Sequence, residues 1–232
     1  MHDRSSTVAK AWIQDLRPVG RLPAFKQLHL VLAVVLVALV AVVGWFLTAT
    51  HVVDLSVHNN LVKSGLHDSW LQGDVVVMVR HAERCDRSRN LCLDSADGIT
   101  VEGSKAALAV GAGLRDMGLE HATLIASPLT RTRQTADFIA GHTVVTEQWV
   151  SECNQDFKDA VVAHKSRGEN LVLITHSGCI DHFARQMGVA AGERSSAYTE
   201  AFFITIGDSG KPRLLGSLVA GRWNALSGEQ IN

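Results

Sequence analysis

The sequence predicts an α/β fold: a three-layer α/β/α sandwich with a mostly parallel central sheet, preceded by one N-terminal transmembrane helix. Two patterns indicate this architecture. After residue 72, short apolar runs of strand length alternate with longer helical stretches, which is typical of a parallel sheet covered by helices on both faces. Before it, the 18 residues from Leu30 to Leu47 contain no charged side chain.

The composition of the 232-residue chain favours a packed fold. Hydrophobic residues make up 47% of the chain and charged residues 19%, so there is enough apolar mass for a core and no sign of a disordered composition. The formal net charge of -1 lacks the basic excess that binding to many nucleic-acid phosphates requires. No nucleic-acid partner is therefore expected.

The apolar run from Leu30 to Leu47 is long enough to cross a membrane, since as a helix it would span about 27 Å at 1.5 Å per residue. Five Lys or Arg residues precede it, whereas Lys63 is the only one between its end and Asp74. The positive-inside rule then leaves the N-terminus in the cytoplasm. An uncleaved anchor is favoured over a cleaved signal peptide, because the basic region is long and residues 48–50 make a poor cleavage site.

These signals divide the chain into four parts: a cytoplasmic basic tail (1–29), a transmembrane anchor (30–50), a polar connector (51–71) and a folded domain (72–232). All four cysteines lie in the part expected outside the cytoplasm, where two disulfides can form. Buried thiols are the alternative. No two cysteines have the Cys-x2–4-Cys spacing of a structural zinc site.

The folded domain is predicted to alternate strands and helices. The apolar run after Asp74 suits a strand covered on both faces, Thr100 is placed to cap the first helix, and Gly118 is placed to end it. The last two strands are expected to be antiparallel at an edge of the sheet. The predicted strands are 74–79, 122–126, 143–146, 171–175, 201–206 and 214–219, and the predicted helices are 100–117, 129–140, one within 156–166 and one within 179–187.

Two histidines follow predicted strands. His81 comes after Arg80 at the end of the first strand, and His176 follows the run 171–175. Ligands of open α/β sheets bind at the carboxyl ends of the strands, so these histidines are expected to converge. A third strand leads into the turn 127–133, which contains Arg131. Arginine matches pairs of phosphate oxygens, so this set of residues predicts phosphoryl transfer.

The same motifs resemble the histidine phosphatase superfamily. They are Arg80-His81-Ala82-Glu83, the Ser127-Pro128-x-x-Arg131 turn followed by Gln134-Thr135-Ala136, and Thr175-His176. The resemblance covers about residues 74–190. It implies that His81 is the nucleophile, that Arg80 and Arg131 bind the phosphate, and that His176 is the second histidine of the pocket.

Two further assignments are less direct. Val150-Ser151-Glu152 resembles the segment that supplies the acid in many family members, so Glu152 is chosen as the proton donor and acceptor over Asp156. Arg84 and Arg87 are candidates for binding a second phosphate or an acidic sugar, with solvated loop charges as the alternative. Because arginines supply the positive charge, no metal or other cofactor is expected.

The longer string from Arg80 to Ser88, with Cys92 and Gly98-Ile99-Thr100 after it, looks similar to the lipopolysaccharide core heptose phosphate phosphatases of Gram-negative bacteria. This resemblance implies that Cys85 pairs with Cys92 and Cys153 with Cys179. It also implies a single-pass inner-membrane protein with its catalytic domain in the periplasm.

The expected activity is therefore that of a membrane-anchored phosphomonoesterase acting through a phosphohistidine on a lipopolysaccharide core heptose or a similar envelope sugar. Its expected partners are that phosphorylated sugar or lipopolysaccharide and, through residues 30–50, the inner membrane. The alternatives are a broad-specificity periplasmic acid phosphatase and an envelope module that binds phosphate without turnover. A mutase is disfavoured, because export separates the domain from cytoplasmic glycolytic intermediates.

Overall fold

The computed structural model describes residues 24–48 and 50–223, which belong to two compact units, Met1–Thr48 and Ala49–Asn232. The first unit contains helix α1 (Ala24–Thr48), and its stretch Phe25–Gly44 is long and apolar enough to cross a membrane. The predicted N-terminal apolar helix is thus confirmed. Residues 1–23 of the predicted basic tail, and Ala49 near the end of the predicted anchor, lie outside the described residues.

The second unit alternates helices and strands. Its described helices are α2 (His58–Ser64), α3 (Leu66–Leu71), α4 (Val101–Asp116), α5 (Thr130–Ala140), α6 (Phe157–His164) and α7 (Ser177–Gln186), with short 3-10 helices between some of them. Its strands are β1 (Val75–Arg80), β2 (Ala122–Ala126), β3 (Asn170–Thr175), β4 (Ala201–Ile206) and β5 (Pro212–Leu218).

The five strands form one sheet in the order β2-β3-β1-β4-β5. Strands β2, β3 and β1 are parallel neighbours, whereas β4 is antiparallel to both β1 and β5. The predicted antiparallel pair at one edge is therefore confirmed. Because β4 runs against β1, the beginning of β4 lies at the same edge of the sheet as the carboxyl ends of the three parallel strands.

Helices cover both faces of the sheet. Alternate residues of β1 point to opposite faces, as a strand period of two requires: Val77 lies in one buried cluster and Met78 in the other. The first cluster includes residues of α3, α4 and α5, and the second includes residues of α6 and α7. This confirms the predicted three-layer sandwich. It also explains why β1 is a continuous apolar run, because both of its faces are buried.

The ends of the first long helix follow the predicted signals. The Thr100 hydroxyl oxygen accepts a hydrogen bond from the backbone N–H of Gly103 at 2.9 Å, which satisfies one of the N–H groups exposed at the start of α4. After the helix, Gly118 has φ of 92°, a left-handed conformation that glycine adopts without the steric cost of a Cβ. Both ends of α4 therefore agree with the predicted local signals.

One predicted strand is wrong. Residues 143–146 form no strand, and only an isolated bridge pairs Thr146 with Ala126. The backbone N–H of Ala126 donates to the Val145 carbonyl, and that of Glu147 donates to the Ala126 carbonyl. The Val145 side chain is 67% exposed. The β-branched residues favoured a strand, but the segment meets only the last residue of β2 and buries too little surface to extend the pairing.

Residues 51–71, which the composition marks as a polar connector, are folded onto the sheet. They contain α2 and α3, and the spaced apolar side chains of Leu55, Leu66 and Trp70 are buried. The Leu55 N–H donates to the carbonyl of Ser217 in β5. A Cβ on Gly216 would lie 2.5 Å from the Val53 carbonyl oxygen, so this close approach requires glycine. Polar residues outnumber these buried apolar side chains in the segment, so its composition did not indicate that it packs against the sheet.

Candidate active site

Three parallel strand ends bring the predicted residues together. Arg80 is paired with Thr175 across β1 and β3, so His81 and His176 follow neighbouring positions. The backbone N–H of His81 donates to the Thr175 carbonyl at 2.9 Å, and that of Ser127, which follows β2, donates to the Ile174 carbonyl at 3.0 Å. The ring centroids of the two histidines lie 5.4 Å apart. The predicted convergence of His81 and His176 is thus observed.

The His81 ring is buried, with 4% of the residue exposed. Its Nδ1 lies 2.8 Å from the Ala82 carbonyl oxygen. A carbonyl can only accept, so Nδ1 carries the proton and donates it, which leaves the lone pair of the neutral ring on Nε2. The backbone therefore selects the tautomer in which Nε2 can act as a nucleophile.

Burial keeps both histidines neutral. It lowers the pKa of His81 from 6.5 to about 3, against the opposing effect of the hydrogen bond to Ala82, and the charges of Arg131 and Arg80 lower it further. Burial likewise lowers the pKa of His176 to about 4, with the charges of Arg131 and Arg84 acting in the same direction. The side chains are therefore uncharged near neutral pH, which is the state that a nucleophilic imidazole requires.

His176 is held by the end of β2. Its Nε2 and the Ser127 hydroxyl are hydrogen-bonded at 2.9 Å. The Ser127 carbonyl accepts a bond from the Thr132 hydroxyl at 2.8 Å, which connects the same turn to the first turn of α5. The sequence motif contained Ser127, but its contact with His176 depends on the neighbouring positions of β2 and β3 and was not predicted.

Arg80 and Arg131 are both partly buried at this edge of the sheet. Burial lowers the pKa of each guanidinium from its ordinary value. Among the described residues, neither Nε group has a hydrogen-bond partner. Leaving a buried N–H unpaired costs about 1–3 kcal/mol, and guanidinium groups match the oxygens of a phosphoryl group.

Arg84 and Arg87 belong to the loop that follows His81. Arg84 donates from Nε and Nη2 to the two carboxylate oxygens of Asp86, at 2.8 and 2.5 Å. Its charge lowers the pKa of Arg131 and of His176, so it contributes to the positive potential around the histidines. Arg87 is exposed at the end of a short 3-10 helix.

Glu83 holds the same loop. Its carboxylate accepts hydrogen bonds from the Ser88 hydroxyl, the Asn90 amide and the Thr100 hydroxyl, at 3.0, 2.8 and 2.7 Å. These bonds lower the Glu83 pKa. They join the loop to the N-cap of α4, so Glu83 has a structural role here.

The two candidate acids lie outside the histidine pair. Glu152 follows the 3-10 helix Gln148–Ser151, and Asp156 precedes α6; both are exposed. Within residues 24–48 and 50–223, no hydrogen bond or ion pair joins either carboxylate to His81 or His176. The Glu152 segment is nevertheless fixed near β3, because the Thr175 hydroxyl donates to the Val150 carbonyl at 2.7 Å.

The two disulfides have the predicted pairing. Cys85 is bonded to Cys92, and Cys153 to Cys179. The first bond closes the loop of residues 85–92, which carries Arg87 and begins directly after Arg84. The second joins the residue after Glu152 to the first turn of α7, three residues after His176.

Tyr198 is a site residue that the sequence analysis missed. Its ring lies over the Arg80 guanidinium, with the central carbon 4.0 Å from the ring centroid, and its centroid is 5.7 Å from that of His81. It precedes β4, whose first residue, Ala201, pairs with Val79. The sequence feature that could have indicated Tyr198 is the predicted antiparallel strand 201–206, because such a strand begins at the edge of the sheet where the parallel strands end.

The residues that the structure describes contain no group of three or more His, Cys, Asp or Glu side chains that could hold a metal ion. The positive charge described at the site comes from arginine side chains.

Part of the chain that forms this site matches a known protein family. Residues 76–155 match the family model described as histidine phosphatase superfamily (branch 1). These residues belong to the histidine phosphatase superfamily. The matched segment contains Arg80, His81, Arg131 and Glu152, whereas His176 lies beyond it. The resemblance carried by the sequence motifs is thus confirmed.

Curated relatives of this chain include the lipopolysaccharide core heptose(II)-phosphate phosphatases of Salmonella paratyphi B and Salmonella typhimurium. Each is 36% identical to it over 117 residues, which are 49% of this chain and 58% of the relative. The match therefore spans little more than half the length of these relatives.

Two solved structures have a fold similar to that of this chain. SixA from Agrobacterium tumefaciens superposes with a TM-score of 0.50 at 14% identity, over 63% of this chain and 99% of that one. The protein histidine phosphatase SixA complexed with tungstate also gives a TM-score of 0.50, at 16% identity, over 63% of this chain and 97% of that one.

The low histidine pKa values predict a loss of stability in acid. His81 and His176 have folded-state pKa values below the ordinary 6.5, so the unfolded chain binds protons first as the pH falls. The free energy of unfolding should be independent of these groups above about pH 7 and should fall from about pH 6.5 towards 4, by up to about 1.4 kcal/mol per pH unit for each histidine. Thermal unfolding between pH 7.5 and 4.5 measures this slope.

The control for this prediction is His176→Asn, which removes one of the two groups. Its melting temperature should depend less steeply on pH than that of the wild type. The same dependence in both proteins would show that His176 does not titrate as described.

Proposed function

We propose that this chain is a phosphomonoesterase in which His81 is transiently phosphorylated. The observation that carries the proposal is the buried, neutral His81, whose Nδ1 donates to the Ala82 carbonyl and whose Nε2 keeps its lone pair. Two arginines with unpaired buried Nε groups lie at the same edge of the sheet. A nucleophile beside preorganised positive donors suits transfer of a phosphoryl group.

In the first step, Nε2 of His81 attacks phosphorus in line with the ester oxygen. The N–P bond forms, the P–O bond breaks, and the departing oxygen takes a proton from the Glu152 carboxyl group. Arg80, Arg131 and His176 stabilise the charge on the transferring group by donating hydrogen bonds to its oxygens. The two arginines supply the positive charge for this stabilisation, so the proposed step requires no metal ion.

In the second step, a water molecule attacks the phosphohistidine. The Glu152 carboxylate takes a proton from the water, the new P–O bond forms, and the N–P bond breaks. Inorganic phosphate leaves, while His81 returns to its neutral form and Glu152 to its protonated form. One carboxyl group therefore acts first as an acid and then as a base.

The choice of Glu152 predicts a specific kinetic result. Glu152→Gln keeps the size of the side chain but removes the transferable proton, so it should lower kcat by about 100-fold. Asp156→Asn is the matched control and should remain within about 3-fold of the wild type, as is usual for a surface carboxylate outside a reaction. Steady-state kinetics with an aryl phosphate measures both. The reverse pattern would assign the role to Asp156.

We further propose that α1 anchors the protein in the inner membrane and that the phosphatase domain faces the periplasm. The basic residues before the apolar run favour this orientation, and disulfides persist in oxidising compartments. Protease added to spheroplasts should then degrade the domain of the full-length chain. Protection of the domain in intact spheroplasts would contradict the orientation.

The proposed substrate is a phosphorylated heptose of the lipopolysaccharide core. The relatives that carry this activity in their names support the proposal, and Arg84 and Arg87 would add positive charge for a second acidic group. The test compares phosphate release from lipopolysaccharide, simple sugar phosphates and p-nitrophenyl phosphate. A strong preference for lipopolysaccharide is expected. Equal rates would favour a broad-specificity acid phosphatase, and binding without turnover would favour a phosphate-binding module.

A further inference from the structure

Residues of the proposed phosphate site are in contact with Tyr198, the chain's only tyrosine. It is half-buried, and its ring contacts two site residues: Arg80, whose guanidinium carbon is 4.0 Å from the ring centroid, and His81, whose ring centroid is 5.7 Å away. A cation over an aromatic face is attracted by the negative potential of the ring. Tyr198 therefore covers one face of the guanidinium.

The edge of the same guanidinium is fixed by a backbone carbonyl. Arg80 donates from Nη1 to the carbonyl oxygen of Ser196 at 2.5 Å, while its Nε has no partner among the described residues. A planar fork that is covered on one face and bonded at one nitrogen has little freedom to rotate. Its remaining donors are thus preorganised.

We infer that Tyr198 is a positioning residue that holds the Arg80 guanidinium in the orientation that binds phosphate. This inference rests on the proposed function and assigns to the aromatic ring a share of the phosphate affinity. Tyr198 acts through Arg80 and takes no part in proton transfer.

The segment that carries Tyr198 is built onto the backbone of Arg80. Residues 196–200 form a turn, here called the 196–200 turn. The Thr199 N–H donates to the Arg80 carbonyl at 3.1 Å, and the Arg80 N–H donates to the Glu200 carbonyl at 3.0 Å. The Glu200 carboxylate also accepts a bond from the Ala197 N–H at 2.6 Å. The ring and the guanidinium therefore share one rigid frame.

The same turn contains the only non-glycine residue with positive φ in the described part of the chain, Thr199, at 58°. This conformation is unfavourable for a β-branched residue. It persists only where the surroundings determine it, and such residues cluster at functional sites. Here Thr199 is 2% exposed, and its strained backbone places Tyr198 beside Arg80.

The electrostatics of Arg80 agree with this role. Burial lowers the pKa of the guanidinium, and the interactions with Tyr198 and Glu200 oppose that effect. The Tyr198 side chain thus favours the charged form of a partly desolvated arginine, through this charge interaction and a hydrogen bond. Removing the aromatic face while keeping an apolar side chain should weaken phosphate binding by about 2- to 30-fold, the range of a cation–π contact converted to affinity.

The experiment measures binding of inorganic phosphate to the full-length chain in detergent, by calorimetry and by product inhibition. Tyr198→Leu should raise both the dissociation constant of phosphate and KM by about 10-fold. Tyr198→Phe retains the aromatic face and should stay within about 3-fold of the wild type. Melting temperatures show whether each variant is folded.

The deciding comparison uses Arg80→Gln as a second background. If Tyr198 acts through Arg80, adding Tyr198→Leu to Arg80→Gln should not weaken phosphate binding further. Equal effects of Tyr198→Leu in both backgrounds would overturn the inference. So would a Tyr198→Phe variant as weak as Tyr198→Leu, because the hydroxyl rather than the ring would then matter.

The outcome also separates this inference from the proposed function. A wild-type protein that binds phosphate and turns over esters, with Tyr198→Leu unchanged, would refute only the role of Tyr198. A wild-type protein that neither binds phosphate nor hydrolyses esters would refute both.

Discussion

Replacing His81 with alanine should lower kcat by about 10⁴-fold or more, because the variant has no nucleophile to form the covalent intermediate. The remaining phosphate-binding groups, Arg80, Arg131 and His176, would be left to assist direct attack by water. Steady-state hydrolysis of an aryl phosphate measures the loss. Acid quenching after brief exposure to a radiolabelled phosphate ester should trap label on the wild-type protein and none on His81→Ala.

The matched control is His121→Ala, since the His121 side chain is 80% exposed on a 3-10 helix before β2. It should retain wild-type turnover and labelling. Label on the His81→Ala protein, or turnover within 10-fold of the wild type, would show that another residue is phosphorylated.

Opening the Cys153–Cys179 disulfide should destabilise the phosphatase domain by about 3.5 kcal/mol, according to the loop-entropy estimate for its sequence separation of 26 residues. This corresponds to a melting temperature lower by about 10 °C for a domain of this size. The double variant Cys153→Ala/Cys179→Ala, studied by calorimetry without reductant, tests it. The bond also ties the residue after Glu152 to α7. If Glu152 transfers the proton, the kcat of this variant should therefore be lower than that of the wild type even at temperatures well below the melting temperature.

The other disulfide provides the comparison. Cys85 and Cys92 are separated by 7 residues, so the double variant Cys85→Ala/Cys92→Ala should lose about 2.5 kcal/mol. A larger loss for this pair than for Cys153 and Cys179 would mean that something other than loop length decides the contribution of each bond.

Most of the secondary structure was accessible from the sequence, because its signals are local. The apolar run of β1, the Thr100 cap and the ordering of the later strands and helices all agree with the observed elements. The failures share one cause. Residues 143–146 have strand composition but meet only the end of β2, and the polar residues of 51–71 conceal the buried Leu55, Leu66 and Trp70. In both cases the decisive factor is which surface the segment meets.

The motifs likewise selected His81, Arg80, Arg131 and His176 as candidate site residues. Arg80 ends β1, His81 and His176 directly follow β1 and β3, and Arg131 lies in the first turn of the helix after β2. The motifs carried no information on Tyr198 or on the contact between Ser127 and His176. The sequence also chose Glu152, whereas the structure leaves its carboxylate exposed and without a bond to either histidine. That role stays a prediction.

The sequence by itself predicted most of the helices and strands from residue 74 onwards, the cysteine pairs through family resemblance, and the histidines and arginines that suit phosphoryl transfer. Only the tertiary structure decided that burial keeps the His81 ring neutral, that Ser127 bonds to His176 and that Tyr198 covers Arg80. The physical reason is that propensities and caps act within a few residues, whereas strand order, register and desolvation depend on segments that are distant in the sequence, such as Arg80 and Ser196, which are 116 positions apart.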